Sequence, residues 1–270
     1  RKEMLLKRFR DSYSIDGSDI NSLVEEKKLS PSFLGEYYSP SFISSFDACP
    51  AKQLLLNLDK KDFIEPLVIG TCVHYLLEQR FLNGGVSDKD LEYVDKKLRN
   101  NSSLKEKTLA YYNAYFKIKD DYKDYQSFTE REIVNNPTPL GVNIPKIKGI
   151  VDRIDISDTK KRVVDYKTSS RPVTSDKYID QLTIYKWIVE EELGTDIDDV
   201  CAASLYTEDP KFLYPEITLR SQSQLIEKIL NVDEEVLKSR VNNSYKVKKS
   251  YQCRFCKYFD KCNAGKDIEI

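Results

Sequence analysis

The chain has 270 residues, enough for one large domain or a domain with an added lobe, and its 40% hydrophobic fraction can fill a sizeable core. Its 43 basic and 44 acidic side chains leave a formal net charge of −1, which excludes a uniformly cationic nucleic-acid binder and makes the distribution of charge matter more than its sum. No apolar run reaches the roughly 18 residues of a membrane span and no signal-peptide pattern is visible, while six unevenly spaced cysteines point away from a secreted disulfide scaffold and toward a reducing, cytoplasmic compartment.

In chain order, residues 1 to 35 are polar, with an amphipathic helix expected around 20–28, and the chain opens at Arg1 as a trimmed product would. Ser39-Pro40 opens a helix, with serine as cap and proline in the first turn. Phe42, Ile43, Phe46, Leu54 and Leu55 supply its apolar contacts, interrupted at Cys49-Pro50. A second helix starts near Pro66, carries Leu67, Thr71, His74, Leu77 and Glu78 at three- and four-residue spacing, and ends at Gly84-Gly85. Further helices are expected over 88–99 and 103–119. The period then changes: 129–135, 143–156 and 161–167 read as strands, the last two joined by a tight turn at Ser157-Asp158-Thr159-Lys160. A helix over 175–193, strands over 200–206 and 212–218, and a helix over 221–240 complete a mixed α/β core behind a helical front lobe.

The triplet Asp165-Tyr166-Lys167 carries the strongest chemistry. Side chains two apart on a strand share a face, so the Asp165 carboxylate and Lys167 ammonium stand side by side. Asp152 lies in the preceding strand, thirteen residues before Asp165. A hairpin of the two strands brings both acids and the lysine to one spot. Two acidic oxygen ligands suit Mg²⁺ or Mn²⁺, and a lysine beside them can orient water or neutralise developing charge, as phosphodiester cleavage requires. The bland alternative is a strand-end aspartate paired with Arg153 and a surface ion pair of small worth between Asp165 and Lys167. His74, the one histidine of the chain, shares a helix face with Thr71 and Glu78 and is a candidate further ligand favouring Mn²⁺. Gln181 and Tyr185 lie one helical turn apart; the glutamine can hold a water or a phosphate, and the tyrosine can stack on a base. Trp187 and the cysteines in apolar runs, Cys72 and Cys201, read as core.

Cys253, Cys256 and Cys262 offer three thiolates in one short loop, and Cys49, beside a proline in a helix break, is the best fourth. Four thiolates suit Zn²⁺ or a [4Fe–4S] cluster, and spacing alone does not choose between them. Around this loop, from Arg240 to Lys266, eight basic residues face one acid, Asp260, with Tyr245, Tyr251, Phe255, Tyr258 and Phe259 interleaved. Lys248, Lys249, Arg254 and Lys257, together with Tyr185, are therefore candidate DNA contacts.

Taken together, these residues resemble the RecB-type clade of the PD-(D/E)XK nuclease superfamily, in particular the members that carry an iron–sulfur cluster, such as the AddB nuclease domain and the CRISPR-associated exonucleases. The matching pieces run in family order from Ser39 to Cys262: the segment of the first cysteine, Gly70-Thr71-Cys72-Val73-His74, the strand from Gly149 to Asp155, Asp165-Tyr166-Lys167-Thr168, Gln181 with Tyr185, and the three closing cysteines. The resemblance implies a restriction-endonuclease-like core, a mixed central sheet flanked by helices, with a helical N-terminal lobe (39–125), a nuclease core (126–240) and a basic cluster-binding segment (241–270), preceded by an extension (1–38) of open role. It implies that His74, Asp152, Asp165 and the Tyr166 carbonyl bind the metal, that Lys167 positions or activates water with help from Gln181, and that Cys49, Cys253, Cys256 and Cys262 hold a structural [4Fe–4S] cluster. The expected function is metal-dependent DNA exonuclease action on single strands or duplex ends in recombination, repair or viral DNA processing, with protein partners from such complexes and no membrane. A non-catalytic iron–sulfur subunit and a zinc-stabilised interaction module are the rival readings.

Overall fold

In the computed structural model, which describes residues 37–53, 63–119, 125–242 and 246–250 with Cys253, Cys256, Tyr258, Phe259 and Cys262, the period-two segments form a five-stranded sheet in the order β1-β2-β3-β4-β5. The strands are β1 (Gln126–Asn135), β2 (Ile147–Ile156), β3 (Lys161–Lys167), β4 (Asp199–Ser204) and β5 (Lys211–Leu213). All neighbours are antiparallel except the parallel pair β3–β4. Three strands are shorter than expected, β4 ending at Ser204 rather than 206. β2 begins at Ile147 rather than 143, and β5 stops at Leu213 rather than 218; Pro145 and Pro215 have no amide to give to a ladder. The helix expected around 20–28, Leu54, Leu55, Arg254 and Lys257 lie outside the described residues.

Packing divides the chain into two units, residues 61–225 and residues 1–60 with 226–270. In the first, α2 (Glu65–Asn83) starts with proline in its first turn and stops at Gly84, whose φ of 71° only glycine adopts readily. α3 (Asp88–Lys97) is closed by a capping box between Ser87 and Asp90, and α4 (Ser102–Tyr115) is capped by Asn101. The buried face of α2 is Ile69, Cys72, Val73, Leu76 and Leu77; Leu67, expected on that face, is 63% exposed. These side chains, with Val94, Leu98 and Tyr111, pack on Val164, Tyr166, Cys201 and Ala203 of β3 and β4. The parallel connection from β3 to β4 runs through a 3₁₀ turn (Ser175–Tyr178) and α5 (Ile179–Leu193), where a single helix was expected. α5 is apolar nearly all round, as a helix buried against a sheet should be: Leu182, Ile184, Trp187, Ile188 and Val189 are all buried. Gly149 of β2 lets it come close, since a Cβ there would stand 2.7 Å from Ile188 Cδ1.

In the second unit, α1 (Pro40–Phe46) is capped by Ser39, whose hydroxyl accepts the Phe42 amide at 3.2 Å. Tyr38 stacks on Phe42 and donates to Asp233 of α6 (Leu219–Asn242) at 2.7 Å. The Ala51 amide donates to the Lys246 carbonyl at 3.0 Å, and Lys246 Nζ meets Glu235 at 2.9 Å, so the Cys49 segment is tied to the residues that lead into the cysteine loop. Among the described residues no helix is long and apolar enough to cross a membrane.

Candidate active site

The hairpin of β2 and β3 pairs from Ile156 with Lys161 to Arg153 with Val164, and there the ladder stops. Asp152 stands at the point of divergence. Its Oδ2 accepts the Tyr166 amide at 2.6 Å, the bond a β2 carbonyl would otherwise take. Asp165 and Lys167 project together from the part of β3 that β2 has left and β4 still pairs, with Lys167 Nζ 2.6 Å from Asp165 Oδ2. Lys167 also donates to Gln181 Oε1 at 2.9 Å, beneath the Tyr178 ring, whose centroid is 5.1 Å from Nζ. Gln181 Nε2 faces Asp165 Oδ1 at 3.4 Å and the Tyr185 hydroxyl at 3.2 Å. Arg153 does not pair with Asp152. It bonds Asp155, which Arg162 shares from the next strand, and all three side chains are fully buried. Asp152 is thereby left for the site.

α2 brings His74 over this point. Its Nε2 lies 3.1 Å from the Tyr166 carbonyl oxygen, and its Nδ1 lies 3.3 Å from Asp152 Oδ1 and 3.7 Å from Glu130 Oε1. Burial opposes charge on the ring, yet Asp152 and Glu130 hold its pKa well above the usual value. Burial pushes the Asp165 carboxyl up to about 6, against the pull of Lys167 and with Asp152 adding to the rise. Burial likewise opposes charge on Lys167, but contact with Asp165 outweighs it and keeps the ammonium protonated. A histidine, a carbonyl, acids and a lysine thus gather around one peptide, that of Tyr166.

Residues 37–263 match the family described as the PD-(D/E)XK nuclease superfamily. The chain belongs to that superfamily. A curated relative, the CRISPR-associated exonuclease Cas4 of Francisella tularensis subsp. novicida (strain U112), is 30% identical over 121 residues, which are 44% of this chain and 57% of that protein. The match thus spans little more than half of the relative's length. A crystal structure of a candidate exonuclease from Eubacterium rectale shares the fold, with a TM-score of 0.53 at 15% identity over 82% of this chain and 88% of that one.

In this PD-(D/E)XK chain the residues singled out from the sequence come together: His74, Asp152, Asp165, Tyr166, Lys167 and Gln181 form one connected set. Tyr185 joins it only through its hydroxyl. The ring is 7% exposed and packs near Gly149, so it offers no face for stacking on a base. The sequence reading passed over Glu130. It sits in β1 between Thr129 and Arg131, whose partners are Arg153 and Val151, and so lies in register with Asp152. Among the described residues, the one group of three ligand atoms within 4.8 Å of one another comes from His74, Glu130 and Asp152. One imidazole nitrogen and carboxylate oxygens are a donor set that fits a divalent ion such as Mn²⁺ or Mg²⁺. The Glu130 Oε1 atom is buried without a hydrogen-bond partner, as an oxygen reserved for a cation would be. Its strand was expected over 129–135 and runs from Gln126, but no pattern within it singles out Glu130.

The six cysteines differ in burial. Cys72 and Cys201 are buried, and burial pushes the Cys72 thiol up to about 11 despite Lys97. Cys49, Cys253, Cys256 and Cys262 are half-buried and belong to the same unit. Backbone amides donate three residues back, Cys253 to the Ser250 carbonyl, Cys256 to Cys253, Phe259 to Cys256 and Cys262 to Phe259. The Ser250 amide donates to Cys253 Sγ at 3.4 Å. Of the candidate DNA contacts here, Lys248 donates to the Asp47 carbonyl at 3.0 Å, and Lys249 is exposed.

Proposed function

We propose that the chain is a Mg²⁺- or Mn²⁺-dependent DNA exonuclease acting on single strands or DNA ends, with His74, Asp152, Asp165 and the Tyr166 carbonyl as metal-binding groups. The observation that carries this reading is the convergence of Asp152, Asp165, Lys167 and His74 on the Tyr166 peptide. A divalent ion supplies a lowered pKa for bound water and stabilises charge on phosphoryl oxygens. Lys167, held by Asp165 and Gln181, contributes a fixed positive charge where negative charge develops, and it acts as a donor rather than as a base. Gln181 orients both partners, and Tyr185 acts by holding Gln181. Lys248, Lys249, Arg254 and Lys257 supply phosphate contacts.

Cys49, Cys253, Cys256 and Cys262 would hold a [4Fe–4S] cluster that braces the two ends of the chain. Half-burial, the three-residue spacing of the amide hydrogen bonds and the N–H···S hydrogen bond to Cys253 support this, as does the tie of the Cys49 segment to Lys246. Broad absorbance near roughly 400 nm with four irons per chain is expected; a colourless zinc protein would return the site to its alternative.

A non-catalytic subunit is the rival function, and the intact, connected set of Asp152, Asp165 and Lys167 argues against it. The test uses end-labelled single- and double-stranded DNA with Mn²⁺. Wild type should shorten the DNA from an end, whereas Asp165→Ala and Lys167→Ala should bind DNA and keep the cluster colour without cutting. Cleavage retained in both variants refutes the assignment.

A further inference from the structure

Glu130 is in a conformation that a glutamate in a strand does not choose. Its φ is 46°, in the left-handed region, although the neighbours Thr129 and Arg131 keep regular register with β2. Its position faces Asp152, and like charges directly opposite on paired strands repel. One of its two carboxylate oxygens, Oε1, is buried without a hydrogen-bond partner and faces His74 Nδ1 at 3.7 Å. Glu130 and Asp152 therefore share one histidine, His74, while Lys167 is held by Asp165. Local strain and repulsion at one residue persist only when something else in the native protein favours them.

We propose that Glu130 is an additional ligand of the divalent ion, delivered from β1 by its left-handed backbone, and that this carboxylate stabilises the loaded site at the expense of the metal-free fold. The assignment rests on the metal-dependent reading above, and it adds an acid from outside the hairpin and the helix that carry the family resemblance. The same carboxylate binds the ion and repels Asp152 when no ion is present. Removing its charge should therefore move metal affinity and metal-free stability in opposite directions. A residue of merely structural role would not do this.

The test is Mn²⁺ binding by electron paramagnetic resonance titration, with thermal melting in chelator, on the full chain carrying its cluster. Glu130→Gln keeps the shape of the side chain and removes its charge. It should weaken Mn²⁺ about tenfold or more and raise the melting temperature in chelator, and Glu130→Asn, which tolerates the left-handed backbone better, should raise it further. Asp152→Asn is the control for the site itself. If Asp152→Asn loses Mn²⁺ while Glu130→Gln keeps wild-type affinity, Glu130 is not a ligand and the nuclease reading survives. If Glu130→Gln binds weakly but also melts lower in chelator, the glutamate is a structural prop and the proposal fails. Wild type that takes up no Mn²⁺ overturns both readings.

Discussion

Asp152 Oδ2 holds the Tyr166 amide at 2.6 Å, so the first acid of the site also closes a broken strand ladder. Its two roles can be separated. In Asp152→Asn the amide oxygen still accepts from Tyr166, so stability should change little while cleavage falls at least about a hundredfold. In Asp152→Ala the buried Tyr166 amide loses its partner, which costs about 1–3 kcal/mol in addition. Denaturant unfolding beside an end-labelled cleavage assay checks the pair. Equal stability of the two variants would mean that the ladder bond contributes nothing.

Gln181 hydrogen-bonds both Lys167 and Asp165. Gln181→Ala leaves the ion pair of Asp165 with Lys167 intact but frees the ammonium to swing. Single-turnover cleavage should slow by about 10- to 100-fold with little change in DNA affinity. A rise in the dissociation constant with an unchanged cleavage rate would instead make Gln181 a DNA contact.

The hairpin was legible because its information is local: strand-like runs, a four-residue turn and a period of two locate Asp152, Asp165 and Lys167 without any long-range knowledge. Gln181 followed from helical spacing. Glu130 did not, because its place depends on the register of β1 against β2, across a connection that includes Pro137, Pro139 and Pro145, and on a backbone angle that composition does not announce. Nor could the segment from Gly149 to Asp155 reveal which aspartate is structural. Asp152 and Asp155 are both buried acids three apart, and only the approach of Arg162 from β3 assigns Asp155 to the two guanidinium groups. For Tyr185 the sequence left core packing and base stacking equally open, for a similar reason. Its exposure is set by how near α5 comes to β2, a packing distance and not a pattern.

That division of labour between the two aspartates gives a sharp contrast. Asp155→Asn leaves Arg153 and Arg162 buried without their shared carboxylate. Breaking a buried pair costs about 3–5 kcal/mol, which for a chain of this size corresponds to a melting temperature lower by roughly 10 °C. Cleavage per folded molecule should stay near wild type at a temperature below the transition. Asp152→Asn should give the opposite result. Loss of specific activity in well-folded Asp155→Asn would place this network inside the chemistry.

Gly149 links the sheet to the helix that carries Gln181. A Cβ at 149 would stand 2.7 Å from Ile188 Cδ1 and 3.1 Å from Tyr185 Cε1, distances that force α5 outward. Overpacking of this kind costs about 1–3 kcal/mol. The displacement has a chemical consequence as well, because Tyr185 and Gln181 sit on the same face of α5 and are bonded to each other. Moving that face loosens Gln181 from Lys167. Gly149→Ala should therefore lower the cleavage rate more than its modest loss of stability explains. Ile188→Val removes the Cδ1 atom that the new methyl would strike first. The double variant should regain part of both losses, with a coupling of at least about 0.5 kcal/mol in a double-mutant cycle. Additive effects would mean that the helix does not rest on Gly149, and the positioning of Gln181 would then need another cause.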